Sequence, residues 1–119
     1  MVEHTWLFPA RILRVVDGDT LDVEIDQGMH TRRIERLRLL GVDTPEMRGP
    51  ERTAGAAAKA WVEQWIAATP PSEWPYLVRT EKADVFGRYL SLVWRSITGS
   101  ELTADLLPHL SAGPGTWTP

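Results

Sequence analysis

Short stretches in which apolar and polar residues alternate recur along the chain. The clearest is residues 20–26, TLDVEID, where Leu, Val and Ile alternate with acidic residues. A period of two is typical of a β-strand with one buried face. On the same pattern, and on aliphatic and aromatic content, we predict further strands in residues 7–16, 31–42, 74–80 and 88–95.

A turn is predicted between the first two strands. Asp17-Gly18 suits a two-residue hairpin turn in which both residues have a positive φ, and Asp19 would then begin the second strand. Residues 27–30, QGMH, predict the next turn.

Two segments have the composition of helices. Residues 51–68 place apolar side chains, including Trp61 and Trp65, on one stripe at helical spacing, and a pair of prolines follows. Residues 101–110 predict a short amphipathic helix interrupted by a proline. The tail, residues 111–119, is rich in Gly and Pro and is predicted to be irregular or frayed.

The order of these elements is three strands, a helix, two strands and a helix. This order predicts a mainly β (α+β) fold, a five-stranded Greek-key barrel of the OB type with two attached helices. A chain of 119 residues without a linker or repeat predicts a single domain over residues 1–119, with its core in about residues 7–110.

Composition excludes some chemistry. The chain contains no Cys, which rules out a disulfide or a thiolate site, and its three His residues are widely spaced. No apolar stretch has the length of a membrane span, and the first residues do not resemble a secretory signal. We therefore expect a monomeric cytoplasmic protein with no membrane partner.

The charge pattern leaves two interpretations open. A net charge of -3 lacks the basic excess of most nucleic-acid-binding proteins, although four arginines fall in one strand: Arg32, Arg33, Arg36 and Arg38. Such a strip is typical of a solvated strand edge, and it would also suit an anion.

Three short segments concentrate residues that suit phosphodiester hydrolysis. They are residues 17–20 (DGDT), 37–46 (LRLLGVDTPE) and 84–88 (DVFGR). Two carboxylates at strand ends suit a hard cation such as Ca²⁺, and a third could orient or deprotonate a water molecule. Two arginines could bind a phosphate through paired hydrogen bonds and stabilise its transition state. A turn, a helix cap and an edge arginine are the plain structural alternatives for each segment taken alone.

The three segments, in this order and at these separations, resemble the signature motifs of the staphylococcal nuclease (thermonuclease) family. The resemblance covers roughly residues 10–110. It implies an OB-type barrel and a Ca²⁺-dependent nuclease that hydrolyses DNA or RNA and leaves 3′-phosphate ends.

The resemblance also assigns roles to individual residues. Asp19 and Asp43 would be Ca²⁺ ligands, with the Thr44 carbonyl as a third ligand and Asp17 beside the metal in an outer position. Glu46 would be the general base or would orient the attacking water. The phosphate-binding and catalytic arginines would be Arg38 and Arg88.

Two departures keep an alternative open. Val85 and Phe86 stand where family members have a lysine and a tyrosine that bind a terminal phosphate, so Phe86 is a weak candidate for substrate contact. The C-terminal part is also short. The alternative is a non-catalytic OB module that binds single-stranded nucleic acid or a protein partner, with Trp6, Tyr76, Phe86 or Tyr89 as stacking residues.

Overall fold

The structure, a computed structural model, describes residues 6–83, 87–113 and 115–119. The predicted strands are all present: β1 (Leu7–Asp17), β2 (Thr20–Asp26), β3 (Arg32–Leu39), β4 (Tyr76–Ala83) and β5 (Tyr89–Arg95). β3 ends before the predicted residue 42 because the chain turns at Gly41, which has a φ of +77°.

The five strands close into a barrel in the order β1-β2-β3-β5-β4. Neighbouring strands are antiparallel except β3 and β5, which run parallel over three residue pairs, from Leu37–Tyr89 to Leu39–Ser91. This closed mixed barrel with helices is consistent with the predicted OB-type fold.

The helices also occur where the pattern predicted them. A 3-10 turn, Gly49–Glu51, leads into α1 (Arg52–Ala67), and α2 (Leu102–Leu106) continues as the 3-10 helix Leu107–Leu110. The α-helical hydrogen bonding stops just before Pro108, which has no N–H to donate. No helix in the described part of the chain is long and apolar enough to cross a membrane.

The core fills the barrel and extends beneath both helices. The inward residues of the strands are fully buried, among them Leu21, Val23, Leu37, Val78 and Val93. Val62 and Trp65 of α1 and Leu102 and Leu106 of α2 are buried against them. The Trp65 indole donates a hydrogen bond to Asp105 at 2.8 Å, which links α1 to α2.

The described residues of the tail, 111–113 and 115–119, form no helix or strand, as predicted, but the tail is held in place at its end. The Thr118 N–H donates to the carbonyl of His109 at 2.8 Å, and the His109 Nδ1 lies 2.7 Å from the Thr118 carbonyl oxygen. The Trp117 ring stacks on the His109 ring with centroids 4.8 Å apart.

Candidate active site

The β1–β2 turn differs from its prediction by one residue. Asp17 pairs with Thr20, so the two loop residues are Gly18 and Asp19. Neither Asp17 nor Gly18 has a positive φ, so the predicted reason for the glycine was wrong. A register shift between Val15 and Asp17 moves the turn, because a bulge adds a residue to β1.

The glycine at position 18 is required because there is no room for a side chain, and not because its backbone has a positive φ. A Cβ on Gly18 would lie 2.8–2.9 Å from the side-chain atoms of Thr44. The β1–β2 turn therefore packs directly on the loop that follows β3, and a larger residue would separate them. That contact brings the first two candidate segments together.

Asp19 is the buried carboxylate of the site, with 6% of its surface exposed. Its Oδ2 accepts a hydrogen bond from the Thr44 N–H at 2.9 Å, and its Oδ1 accepts one from the Thr20 hydroxyl at 3.1 Å. The Asp19 N–H in turn donates to Oδ1 of Asp17 at 3.1 Å. Its orientation is therefore fixed by both loops.

Arg38 lies between the two predicted metal ligands. Its Nη2 is 2.8 Å from Oδ1 of Asp43 and 3.3 Å from Oδ2 of Asp19. Its Nη1 donates to the carbonyls of Leu39 and Val42, at 3.1 and 2.7 Å. One guanidinium thus closes the loop after β3 and bridges two carboxylates. The Asp43 side chain is 95% exposed, and its Oδ1 is paired with this guanidinium.

The surroundings of Asp17 and Asp19 shift the pKa values of the two carboxyl groups in opposite directions. Burial, followed by the adjacent Asp19 carboxylate, raises the pKa of Asp17 from 3.8 to about 6. Burial also acts to raise the pKa of Asp19, but hydrogen bonds from Asp17 and the Thr44 amide, with the charge of Arg38, outweigh it and hold that pKa below its ordinary value. Asp19 is therefore the more firmly ionised of the pair.

Glu46 follows directly on this cluster. Pro45 is buried, whereas Glu46 is exposed, so its carboxylate is open to water and to a substrate. The Glu46 N–H donates to Oε1 of Glu51 at 3.1 Å. On the other side, its carbonyl lies so close to Gly55 of α1 that a Cβ there would be 2.1 Å from the oxygen.

Strand pairing places the backbone of Arg88 close to β3. It lies one residue before β5, whose Tyr89 pairs with Leu37 and whose Leu90 pairs with Arg38. The structure thus places Arg88 beside the strand that contains Arg38. Val85 and Phe86 lie outside the described residues.

The other arginines of the β3 strip fit the plain interpretation of a solvated edge. Arg36 donates to both carboxylate oxygens of Asp22, at 2.8 and 3.1 Å, and Arg33 pairs with Glu35. Of the strip, Arg38 is the one that the structure brings to the carboxylates.

The chemical type of the available ligand atoms suits a hard divalent cation. Asp17, Asp19, Asp43 and the Thr44 carbonyl offer only oxygen atoms, which Ca²⁺ prefers. They fall short of its roughly six to eight ligands, so water would have to complete the shell. Within the described ranges, no group of three or more His, Asp or Glu side chains is already arranged to hold a metal. A cation shared by Asp19 and Asp43 would require the exposed Asp43 side chain to turn away from Arg38.

A separate groove of about 660 Å³ opens on the barrel wall. Trp6 and Tyr89, two of the predicted stacking residues, both line it, and Trp6 is 58% exposed. Tyr76, a third stacking candidate, is 3% exposed and packs against Trp65, so it belongs to the core. The remaining lining residues include two arginines and two glutamates: Arg33, Arg79, Glu35 and Glu81.

Three contacts of the site were not predicted from the sequence: Gly18 on Thr44, Gly55 on Glu46, and Glu51 with the Glu46 amide. Only the segment GPE before the helix gave a local signal, because Gly-Pro followed by an acidic residue indicates a helix start.

No family model matches the chain, and no curated protein was found to match it.

Proposed function

We propose that this chain is a metal-dependent nuclease that hydrolyses phosphodiester bonds of DNA or RNA. The observation that supports the proposal is the bridge of Arg38 between Asp19 and Asp43, immediately followed by Thr44 and the exposed Glu46. Carboxylates, a guanidinium and an accessible base within one short loop are the groups that this reaction needs. We also propose membership of the staphylococcal nuclease family on the motifs given above.

In this proposal Asp19, Asp43 and the Thr44 carbonyl would hold Ca²⁺, with Asp17 beside them. Bound Ca²⁺ would neutralise charge on the substrate phosphate. Glu46 orients or deprotonates the attacking water from its exposed position. Arg88 and Arg38 bind the phosphate oxygens and stabilise the additional negative charge of the transition state.

Arg38 has two roles in this proposal: it holds the loop after β3, and it binds the substrate phosphate. Its terminal nitrogens donate to the carbonyls of Leu39 and Val42 and to Asp43, and Nη2 also lies 3.3 Å from Oδ2 of Asp19. When Asp43 turns away, the Nη2 N–H that pointed to it becomes available for a phosphate oxygen. The mobile partner is the exposed Asp43, whereas the carbonyls of Leu39 and Val42 keep the guanidinium in place.

The test is a cleavage assay on single-stranded DNA, duplex DNA and RNA, with Ca²⁺, with Mg²⁺ and with chelator. We expect cleavage that depends on Ca²⁺ and falls about a hundredfold or more in Glu46→Gln, because a general base contributes that much. Glu63→Gln, a change of the same kind on the exposed face of α1, is the control and should stay active. A Glu46→Gln protein as active as its parent would rule out the assigned role.

A second candidate function is the binding of single-stranded nucleic acid without turnover. The observation that favours it is the groove that places Trp6 and Tyr89 beside Arg33 and Arg79. Stacking on an aromatic ring contributes roughly 1–3 kcal/mol per base. The two glutamates on the same groove oppose a polyanion, and this is why we place the nuclease first.

Binding in chelator distinguishes the two functions. For the second candidate we expect an oligonucleotide to bind the parent protein and to bind Trp6→Ala at least about tenfold more weakly. Ile97→Ala removes an exposed apolar side chain in the turn after β5, outside the groove, and should bind as the parent does. Equal binding of the oligonucleotide by all three proteins would exclude the groove as the binding site.

A further inference from the structure

The backbone of Glu46 is fixed from two sides although it lies in an irregular loop. Residues 42–46 have no regular secondary structure. The Glu46 N–H is bound by the carboxylate of Glu51 at 3.1 Å, and the Glu46 carbonyl lies against Gly55. The position of the Glu46 side chain therefore depends on Glu51 and on the start of α1.

Glu51 occupies a position where an acidic side chain usually has another role. It is the N-cap residue of α1, where an oxygen would normally accept a hydrogen bond from an N–H of the first turn. Its side chain makes no such capping bond. The carboxylate accepts the Glu46 amide instead, so its hydrogen bond serves the loop and not the helix.

The C-terminal tail lies directly against the same carboxylate. A Cβ on Gly115 would be 2.9 Å from Cδ of Glu51 and 3.2 Å from each carboxylate oxygen. Gly115 also has a φ of +72°, which glycine adopts without strain. Gly115 thus packs directly on the Glu51 carboxylate, and a Cβ at this position would displace that side chain.

The tail is anchored just beyond that contact. Trp117 stacks on His109 and meets Trp61 of α1 edge-on at 6.1 Å between ring centroids. The backbone of Thr118 is hydrogen-bonded to His109 at 2.8 Å. Residues 115–118 are therefore held against α1 and against the 3-10 helix Leu107–Leu110, with Gly115 in contact with Glu51.

We propose that Glu51 and residues 115–118 form a brace that positions Glu46. Glu51 is a positioning residue, because it contacts the backbone of Glu46 and is assigned no contact with a substrate. The effect on catalysis rests on the proposed function of Glu46, whereas the brace itself can be tested without any activity.

The first measurement is hydrogen exchange of the Glu46 amide by NMR. We expect slow exchange in the parent and faster exchange, by about tenfold or more, in Glu51→Ala, because the hydrogen bond that protects this amide is lost. Glu51→Gln should restore protection, since the side-chain carbonyl of Gln can accept the same N–H. Unchanged exchange in Glu51→Ala would overturn the brace.

The contribution of the tail is tested with a matched pair of glycine variants. Gly115→Ala should displace the Glu51 carboxylate and speed exchange of the Glu46 amide. Gly99→Ala is the control, because Gly99 has nearly the same φ, +74°, and no atom within 4 Å of the added Cβ. Both variants carry the same backbone strain, so equal exchange of the Glu46 amide in the two would overturn the role of the tail.

The second measurement separates positioning from general stability. For Glu51→Ala we expect kcat to fall about tenfold to a hundredfold with KM unchanged, because misplacing a reacting group by about 1 Å can cost a hundredfold. Glu51→Gln should recover the parent kcat. Faster amide exchange with unchanged kcat would reject the positioning role. If the parent protein cleaves no substrate, the proposed function fails, and amide exchange alone still decides whether the brace exists.

Discussion

At the scale of single residues, Asp17 and Asp19 show how neighbouring identical side chains acquire different properties. The sequence presents them as a symmetric pair around a glycine. In the fold, Asp19 receives the Thr44 amide and the charge of Arg38, whereas Asp17 is half-buried beside an ionised carboxylate. The raised pKa of Asp17 and the lowered pKa of Asp19 follow from these different partners.

This difference predicts that Asp17→Asn stabilises the metal-free protein at neutral pH. The pKa of Asp17 is about 6 in the folded protein against an ordinary value of 3.8, so its favourable contribution is complete below pH 3.8 and is lost as pH rises through 6. Asn stays neutral and can still accept the Asp19 N–H. We expect a gain of about 1 kcal/mol at pH 8, reduced from the full linkage value by partial exposure of the carboxyl.

Urea unfolding in chelator, from pH 4 to pH 8, measures this gain. The parent and Asp17→Asn should have similar free energies of unfolding near pH 4, should diverge between pH 4 and pH 6, and should keep a constant difference at higher pH. Glu63→Gln, an exposed change on α1, controls for the loss of one negative charge. A variant that is less stable than the parent at pH 8 would contradict the origin given for the shifted pKa.

At the scale of elements, strands and helices could be predicted from the sequence and their contacts could not. Alternation in residues 20–26 and the apolar stripe of α1 depend on residues close in the chain, so a local pattern suffices. The bulge before Asp17 depends on how β1 fits the whole barrel, and it moved the turn to Gly18 and Asp19. The site was predicted as a set of residues, but the bridge by Arg38 depends on two loops meeting.

Gly55 gives an element-scale prediction that reverses the usual helix rule. Gly→Ala inside a helix normally stabilises it, by up to about 1 kcal/mol. Here the added Cβ would lie 2.1 Å from the Glu46 carbonyl oxygen, so α1 or the loop must move apart. We expect Gly55→Ala to destabilise the fold by about 1–3 kcal/mol, the usual cost of overpacking.

Ala60→Gly, at an exposed position of α1, measures the helix-propensity contribution in the same helix. It should cost about 1 kcal/mol in urea unfolding. The two results together isolate the steric contribution at Gly55. A Gly55→Ala protein as stable as its parent would mean that α1 does not fix the Glu46 loop.

At the scale of the whole molecule, the proposed function requires an acidic protein to bind a polyanion through a small local site. The net charge is -3, and the exposed arginines Arg33 and Arg36 are paired with acidic side chains of the barrel. Arg38 and Arg88 are then the phosphate contacts that the proposal provides. Such binding should depend weakly on salt, because few counterions are released from the nucleic acid.

The slope of affinity against salt makes this quantitative. For single strands log K falls by roughly 0.7 per log salt for each phosphate neutralised, so two contacts give a slope of about -1.4. We expect that slope for an oligonucleotide bound to the inactive Glu46→Gln protein at fixed Ca²⁺, and about -0.7 after Arg88→Gln is added. Arg79→Gln, on the groove, should leave the slope unchanged. If Arg79→Gln makes the slope less steep and Arg88→Gln does not, the nucleic acid strand lies in the groove of Trp6 and Tyr89. The non-catalytic binding module would then replace the nuclease as the better proposal.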